Sequence, residues 1–204
     1  MGRIGRWIKP RFQDLAMRQM NEYRPATVER AEGDVLEIGF GTGLNLRHYT
    51  AAVKSLTGVD PLDGLPAKVQ ERIARAPFPV AHHALRADGD LPFDAGRFDC
   101  AVFTWTLCSI PEPERALLEL RRVLKPGGKL FFVEHGRSAD AATARWQDRL
   151  NPLWVRLTDG CNMNRPVADV VQRGGFALTS LEHFRGRGPR ILAEMFRGVA
   201  QPAV

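Results

Sequence analysis

A buried run that ends in a glycine-rich turn, VLEIGFGTGLN at residues 35–45, constrains the fold of this chain most strongly. Gly39, Gly41 and Gly43 alternate in it, and the carboxylate of Glu37 lies just before them. Glycine tolerates left-handed backbone angles and lets a ligand approach the main chain closely. In an open α/β sheet, ligands bind at the carboxyl ends of the strands, where the connections change direction. The stretch therefore predicts the first strand of such a sheet and a ligand site at its end.

Strands and helices alternate along most of the remaining chain. Strands apolar enough to be covered on both faces predict a doubly wound, mostly parallel α/β sheet. With 204 residues, the chain is long enough for one main domain over residues 33–204. The predicted strands are 35–38, 55–60, 79–85, 98–104, 129–134, 177–184 and 191–199, and the predicted helices are 44–50, 67–74, 114–124, 140–157 and 166–173.

Residues 1–32 are expected to form an N-terminal basic helical segment. Its apolar residues recur at helical spacing between arginines, and its start lacks the apolar core of a secretory signal. No apolar run approaches the roughly 20 residues that cross a bilayer, so a cytoplasmic protein is expected. The segment packs on the main domain, lies over the ligand site, or makes peripheral contact with an anionic membrane.

The net charge of +6 raises nucleic acid and anionic membranes as partners. The arginines are spread along the chain, however, and no dense basic block with interleaved aromatic residues occurs. A solvated basic surface is the simpler interpretation, and no nucleic-acid partner is expected. The three cysteines form no C-x-x-C pair, so the sequence predicts no metal site.

Two classes of ligand compete for the glycine-rich turn. A dinucleotide fingerprint, G-x-G-x-x-G/A, needs a small residue at its sixth position, where this chain has Leu44 or Leu46. The carboxylate of Glu37 would also repel a diphosphate. Asp60 ends the second predicted strand and can accept hydrogen bonds from the ribose hydroxyls of an adenosine. An adenosine that carries a cationic group therefore fits the pattern better than a dinucleotide.

Four segments occur together in an order typical of a known family: VLEIGFGTG, GVDPLDGL, ADGDLPFDAGRFD and ELRRVLKPGGKLFFVEHG, within residues 33–136. On these segments the chain resembles class I S-adenosylmethionine-dependent methyltransferases. The resemblance implies a Rossmann-like, seven-stranded sheet whose last strand is antiparallel. It also implies S-adenosylmethionine as the cofactor, S-adenosylhomocysteine as its product, and a small-molecule methyl acceptor as the partner.

The resemblance places the cofactor at the ends of the first four strands. It implies Glu37 near the methionyl amine, Asp60 at the ribose hydroxyls and Leu62 against the adenine face. The acid in ADGDLPF is shifted from the family's usual text, so Asp90 is an alternative to Asp88 at the adenine edge. The full set of implied cofactor residues is Glu37, Gly39, Phe40, Gly41, Gly43, Asp60, Pro61, Leu62, Asp88, Gly89, Thr104 and Trp105.

The later segment WQDRLNPLWVRLTDGC narrows the resemblance to alkyl-thiol methyltransferases and their small bacterial relatives. It implies a thiol as the first candidate acceptor. N-methylation of phosphatidylethanolamine and C-methylation of a quinone, both at a membrane surface, are the alternatives. A non-catalytic cofactor-binding module is a further one.

The acceptor pocket is expected where the fourth and fifth strands end, under a helical lid at about 138–166. The imidazole of His135 either accepts a proton or is a hydrogen-bonded structural group, and Cys108 either lines the pocket or takes part in catalysis. The candidate catalytic residues are thus His135 and Cys108, and the candidate substrate-binding residues are Ser109, Glu134, Asp159, Cys161, Asn164 and Arg165.

Overall fold

A computed structural model describes residues 17–62, 64–158 and 160–203 of the chain. Its centre is one sheet of seven strands: β1 (Gly33–Ile38), β2 (Val53–Asp60), β3 (Val80–Ala84), β4 (Phe98–Thr104), β5 (Leu124–His135), β6 (Phe176–Arg185) and β7 (Glu194–Pro202). The strand order is β3-β2-β1-β4-β5-β7-β6. The first five strands are parallel, whereas β7 is antiparallel to β5 and to β6.

Helices and apolar clusters cover both faces of the sheet. Leu36 lies in one buried cluster together with Leu117, whereas the adjacent Val35 lies in a second cluster with Val28. Because successive strand residues point to opposite faces, one sheet supports two apolar layers. The α-helices are α1 (Pro25–Val28), α2 (Ala67–Ala74), α3 (Pro113–Val123), α4 (Ala141–Leu157) and α5 (Val167–Arg173), and 3₁₀ turns occur at Met17–Tyr23, Leu46–His48, Leu107–Ser109 and Arg190–Leu192.

The predicted seven-stranded, mostly parallel architecture is confirmed, including the antiparallel last strand. The helix predicted at 44–50 is wrong, since only the 3₁₀ turn Leu46–His48 forms there. Asn45 and Tyr49, on either side of this turn, both donate hydrogen bonds to Glu37 and hold the segment as a loop. In addition, β2 begins at Val53, two residues earlier than predicted, so the connection between the turn and β2 is shorter than the sequence indicated.

The basic N-terminal segment is described from Met17 onward. Val28, the last residue of α1, and Ala31 just after it are buried in the apolar cluster that covers one face of the sheet. This part of the segment therefore packs on the main domain. The remainder of the predicted N-terminal helix, residues 1–16, lies outside the described residues. Within the described ranges, no helix is long and apolar enough to cross a membrane.

The strand order reverses between β1 and β4, which are neighbours in the sheet without being consecutive in the chain. β1 pairs with β2 on one side and with β4 on the other, and Ile38 lies opposite Phe103 near the carboxyl ends of both strands. In open α/β sheets, such a switch point forms the ligand crevice. The loops after β1, β2, β4 and β5 therefore meet at one edge.

Candidate functional site

The glycine-rich turn follows β1 at this edge. Gly39, Gly41 and Gly43 have φ angles of 76°, 54° and 71°, in the left-handed region that favours glycine. A Cβ atom on Gly39 would lie 2.0 Å from Oγ1 of Thr106. The turn thus packs directly on the loop after β4, and a side chain at Gly39 would force the two loops apart.

Asp60 joins the end of β2 to this turn. Its Oδ2 accepts a hydrogen bond from the backbone N–H of Gly41 at 2.9 Å, and its Oδ1 accepts one from that of Leu62 at 3.0 Å. Asp60 is half-buried, and Pro61 next to it is exposed. Each carboxylate oxygen has a further lone pair, so Asp60 can accept ligand hydroxyls while it keeps both backbone contacts.

Phe40 contributes its backbone, and not its ring, to the turn. The ring is buried in the core, 5.5 Å from the ring of His82, and a Cβ atom on Gly58 would lie 2.6 Å from it. The glycine at position 58 thus makes room for the Phe40 ring beneath the turn.

Asp88, expected at the adenine edge, is buried and held by its neighbour Arg86. The guanidinium donates to both carboxylate oxygens, at 3.0 and 2.8 Å. Burial alone would raise the pKa of Asp88, but Arg86 holds the pKa below its usual value. Gly89 is half-buried beside it. The alternative acid, Asp90, is exposed and pairs with Arg115 at 3.2 Å.

Glu37 is buried beneath the turn. Its Oε1 accepts a hydrogen bond from Nδ2 of Asn45 at 3.0 Å, and its Oε2 accepts one from the hydroxyl of Tyr49 at 2.8 Å. Burial raises the pKa of Glu37 to about 7, although Tyr49 and the guanidinium of Arg24 act to lower it. The carboxyl group that the sequence placed at the ligand is therefore close to half-ionised at neutral pH.

Arg24 is a site residue that the sequence did not reveal. Its Nη1 donates to Oδ1 of Asn45 at 2.7 Å and to Oγ1 of Thr104 at 2.8 Å. Its guanidinium carbon lies 4.9 Å from the centroid of the Trp105 ring. No motif marks Arg24, since it precedes α1 in a segment of scattered arginines. The fold nevertheless buries this cation at the ends of β1 and β4.

Trp105 departs from ordinary geometry in two ways. Its φ angle is 51°, which is uncommon for a bulky residue, and its buried indole Nε1 has no hydrogen-bond partner among the residues that the structure describes. Strained backbone and unpaired buried donors are concentrated at ligand sites. Trp105 therefore marks the edge of a candidate ligand site.

Glu134 organises the loop after β4 from the end of β5. Its Oε1 accepts hydrogen bonds from the backbone N–H groups of Thr106 at 2.5 Å and Leu107 at 2.8 Å, and its Oε2 accepts one from that of Cys108 at 3.4 Å. Burial raises the pKa of Glu134 to about 7. Because its exposed fraction is 0%, Glu134 positions this loop and has no surface that a substrate could contact.

His135, Cys108 and Cys161 form a compact cluster beside this loop. Nε2 of His135 lies 2.9 Å from Sγ of Cys161, and Ser109 lies at the border, with Oγ 3.6 Å from Sγ of Cys108. The Cys108 thiol and the His135 ring hold the pKa of Cys161 far below its usual value. Burial alone would lower the pKa of His135, but the contact with Cys161 raises it. The contact therefore shifts the pKa of each group toward its charged form.

The lid is attached to the same loop by Asn162 and Arg165. The backbone N–H and Nδ2 of Asn162 donate to the carbonyl oxygen of Cys108 at 2.9 and 3.1 Å. Nη1 of Arg165 donates to the carbonyl oxygens of Leu107 and Ile110. The sequence suggested Arg165 but not Asn162, which reaches Cys108 only because the lid folds back over β4.

The other two residues suggested from the lid are not part of this cluster. Nδ2 of Asn164 donates to Oδ1 of Asp148 in α4 at 2.8 Å. Asn164 also lines a surface cleft of about 370 Å³ together with Asn162 and Arg165. Asp159 lies outside the described residues.

A cavity of about 410 Å³ opens at the opposite edge, where the strands begin. Lys54, Lys125 and Lys129 line it, and the ammonium of Lys125 already pairs with Asp99 at 2.7 Å. The strained backbone, the unpaired indole and the cysteine–histidine cluster all lie at the other edge. The strand order of the sheet, and not the volume of this cavity, therefore locates the candidate site at the carboxyl ends of the strands.

The sequence of this chain is similar to those of known methyltransferases. A family model described as a methyltransferase domain matches residues 36–132. Human thiol S-methyltransferase TMT1A is 34% identical over 155 residues, which are 74% of this chain and 63% of that protein. Phosphatidylethanolamine N-methyltransferase from Cereibacter sphaeroides is 33% identical over 111 residues, 54% of each chain. The chain thus spans less than two thirds of the length of these relatives.

A solved structure shows the same architecture. The [4+2]-cyclase SpnF has a TM-score of 0.68 with this chain and is 20% identical to it, over 91% of this chain and 81% of the other. At this identity the likeness shows the fold alone.

Proposed function

From the premise that this chain carries a class I S-adenosylmethionine-dependent methyltransferase domain, we propose that it methylates the sulfur of a small-molecule thiol. Its cofactor, S-adenosylmethionine, supplies a methyl group on a sulfonium leaving group. The protein then chiefly has to position two reactants and provide a suitable field.

The residues at the ends of β1, β2 and β4 fit this cofactor. Asp60 has free lone pairs for ribose hydroxyls beside a turn with left-handed glycines. Glu37 holds the turn through Asn45 and Tyr49 and acts on the methionyl amine through its field. The field of the buried Arg24 guanidinium suits the methionyl carboxylate. The unpaired indole N–H of Trp105 offers one further donor. These groups bind and orient the cofactor and exclude water from its reactive end.

One observation carries the choice of a thiol: among the described residues, the acceptor side offers cysteine sulfurs, a His135 imidazole that already contacts Cys161, and no unpaired carboxylate base. Glu134, the acid at the end of β5, is fully buried and bonded to three backbone amides. Carbon and hydroxyl acceptors need a general base, whereas a thiol with a reference pKa near 8.5 needs far less assistance. The guanidinium of Arg165, bonded to the loop that carries Cys108, favours the thiolate form of such an acceptor.

Incubation of the protein with S-adenosylmethionine and a panel of acceptors tests this proposal. The panel pairs aromatic and alkyl thiols with the matching alcohols and amines, and mass spectrometry reads the products. We expect methyl thioethers from the thiols and no product from the matched alcohols and amines. Amine products without thioethers would contradict the thiol acceptor, and calorimetry that detects no cofactor binding would contradict the methyltransferase proposal itself.

A second candidate acceptor, the amine of phosphatidylethanolamine at a membrane surface, is favoured by the outer face of α4. Trp146, Leu153 and Leu157 are 54%, 58% and 72% exposed there, and the guanidinium of Arg149 lies 5.7 Å from the Trp146 ring. Apolar side chains flanked by basic ones are typical of helices that lie on anionic membranes. Vesicles that contain phosphatidylethanolamine therefore belong in the same panel, and methylation of that lipid in place of thiols would select this candidate.

Replacing Asp60 by alanine should weaken cofactor binding about 5- to 150-fold, the equivalent of 1–3 kcal/mol for ribose hydroxyls left poorly paired. Isothermal titration with S-adenosylhomocysteine measures the change. The matched control is Asp169→Ala, because Asp169 is an exposed aspartate of α5 on a different part of the domain. Equal affinity in the Asp60 variant and the wild type would place the ribose elsewhere.

A further inference from the structure

The cluster of Cys108, His135 and Cys161 has the composition and the size of a metal site. Sγ of both cysteines and a ring nitrogen of the histidine all lie within 4.8 Å of one another. Two of the three residues are buried and Cys161 is half-buried. The sequence predicted no metal because its cysteines are widely spaced. The three donors come instead from the turn after β4, the end of β5 and the lid, and only the fold brings them together.

Sulfur and imidazole donors select zinc or a similarly soft metal over magnesium or calcium. Zinc binds thiolate sulfur at about 2.3 Å and imidazole nitrogen at about 2.0–2.1 Å in tetrahedral geometry. Those bond lengths place neighbouring donor atoms about 3.5–3.8 Å apart. The 2.9 Å between Nε2 of His135 and Sγ of Cys161 must therefore widen by about half an ångström, a change that a rotation of the half-buried Cys161 side chain can supply.

The surrounding hydrogen bonds hold the donors as an outer shell holds metal ligands. Cys108 is fixed on one side by Glu134, which accepts from its backbone N–H, and on the other by Asn162, which donates to its carbonyl oxygen. Arg165 anchors the residue before Cys108 through the carbonyl oxygen of Leu107. Asn162 directly follows Cys161 in the chain. Its hydrogen bond to the carbonyl oxygen of Cys108 therefore fixes the backbone of two of the three donor residues relative to each other.

We propose that Cys108, His135 and Cys161 bind one zinc ion, and that the open fourth position of this ion binds the sulfur of the methyl acceptor. Three protein ligands and one exchangeable position are the arrangement of catalytic zinc sites. Two cysteine thiolates and a neutral histidine balance the charge of Zn²⁺, and Arg165 lies beside the group to balance an added thiolate. This inference rests on the proposed thiol acceptor and names how that acceptor is activated.

The zinc ion lowers the pKa of the acceptor thiol, and the methyl transfer that follows is a direct displacement. On binding, the acceptor S–H bond breaks and the proton leaves to solvent, since a metal-bound thiol is deprotonated outright. A lone pair of that sulfur then forms the new S–CH₃ bond. As it forms, the bond between the methyl carbon and the sulfonium sulfur breaks, and its electron pair stays on the sulfur of S-adenosylhomocysteine. No oxidant or reductant is needed.

Zinc content of the purified chain tests the site directly. The protein is incubated with zinc sulfate, passed through a gel-filtration column without chelator, and measured by inductively coupled plasma mass spectrometry. We expect about one zinc per wild-type chain, and almost none in Cys108→Ser, His135→Asn or Cys161→Ser. Cys100→Ser is the matched control, since Cys100 is a buried cysteine of β4 outside the cluster, and it should keep its zinc.

Two further measurements separate this inference from the proposed function. Titration with S-adenosylhomocysteine shows whether each variant is folded, and cobalt substitution gives a thiolate-to-cobalt absorption band that should intensify when a thiol acceptor is added. A wild-type chain that takes up no zinc and still methylates thiols would overturn the metal site alone. Zinc bound at the three residues, with no spectral change or product from any thiol, would support the metal site but overturn its role and the proposed acceptor.

Discussion

Replacing Glu134 by alanine should lower the free energy of unfolding by about 3–5 kcal/mol, since each buried donor left without a partner costs about 1–3 kcal/mol. The backbone N–H groups of Thr106, Leu107 and Cys108 all lose their acceptor. Methyl transfer should also fall more than about 100-fold, because misplacement by about 1 Å has that effect on a reaction that depends on positioning. Urea denaturation and initial rates measure the two effects.

Glu134→Gln keeps this prediction testable if the alanine variant does not fold. A glutamine oxygen can still accept from Thr106 and Leu107, but its amide N–H₂ would face the N–H of Cys108. The glutamine variant should therefore lose less stability than the alanine variant while it still loses activity. Glu194→Ala is the control, since Glu194 is a buried carboxylate of the same sheet that accepts from Ser138, and it should reduce stability with little effect on the rate. Wild-type stability of Glu134→Ala would refute the role assigned to Glu134.

The fold could be predicted from the sequence because its signals are local. The run before Gly39 is apolar, and the glycines that follow it permit left-handed backbone angles. The eleven residues at 35–45 are therefore enough to predict where β1 ends. Asp60 could be identified because it ends a strand at the expected distance from the turn. The helix predicted at 44–50 failed for a reason that is not local: the side chains of Asn45 and Tyr49 bind Glu37.

The candidate site was only partly visible because half of it depends on contacts between distant segments. Arg24 reaches Thr104 across 80 residues, and Asn162 reaches the carbonyl oxygen of Cys108 across 54. Neither residue belongs to a motif, and an arginine before a proline has no special pattern. The role of Glu134 was also hidden, since a carboxylate at the end of a strand looks the same whether it faces a ligand or three backbone amides.

Arg24, Trp105 and Glu134 show how the two halves of the site are coupled. The guanidinium of Arg24 lies over Trp105, and the next residue in the chain, Thr106, is held by Glu134. The loop after β4 therefore borders the proposed cofactor site at one end and the cysteine–histidine cluster at the other. A substitution in either half of the site should therefore change the geometry of the other half through this loop.

Replacing Glu37 by glutamine should remove a pH dependence of stability that the wild type has between about pH 4.5 and 7. Burial raises the pKa of Glu37 from 4.5 to about 7, so the folded state binds a proton that the unfolded state has released in this range. That contribution is complete below pH 4.5 and is lost as the pH rises through 7. At 1.36 kcal/mol for each pKa unit, the loss is about 3 kcal/mol.

The glutamine variant should therefore gain stability relative to the wild type as the pH rises from 5 to 8, measured by denaturation without cofactor. The amide can keep both hydrogen bonds, because its oxygen accepts from Asn45 and the hydroxyl of Tyr49 can turn to accept from its N–H₂. Tyr49→Phe removes a contact that lowers the pKa of Glu37 and should shift the window to higher pH. Parallel stability curves for wild type and Glu37→Gln would contradict this account.

Cofactor binding should change in the opposite direction. Above pH 7 the glutamine variant lacks the charge that suits a methionyl amine, so it should be more stable than the wild type and bind the cofactor more weakly. Such a trade-off is expected where a buried charge is kept for its ligand.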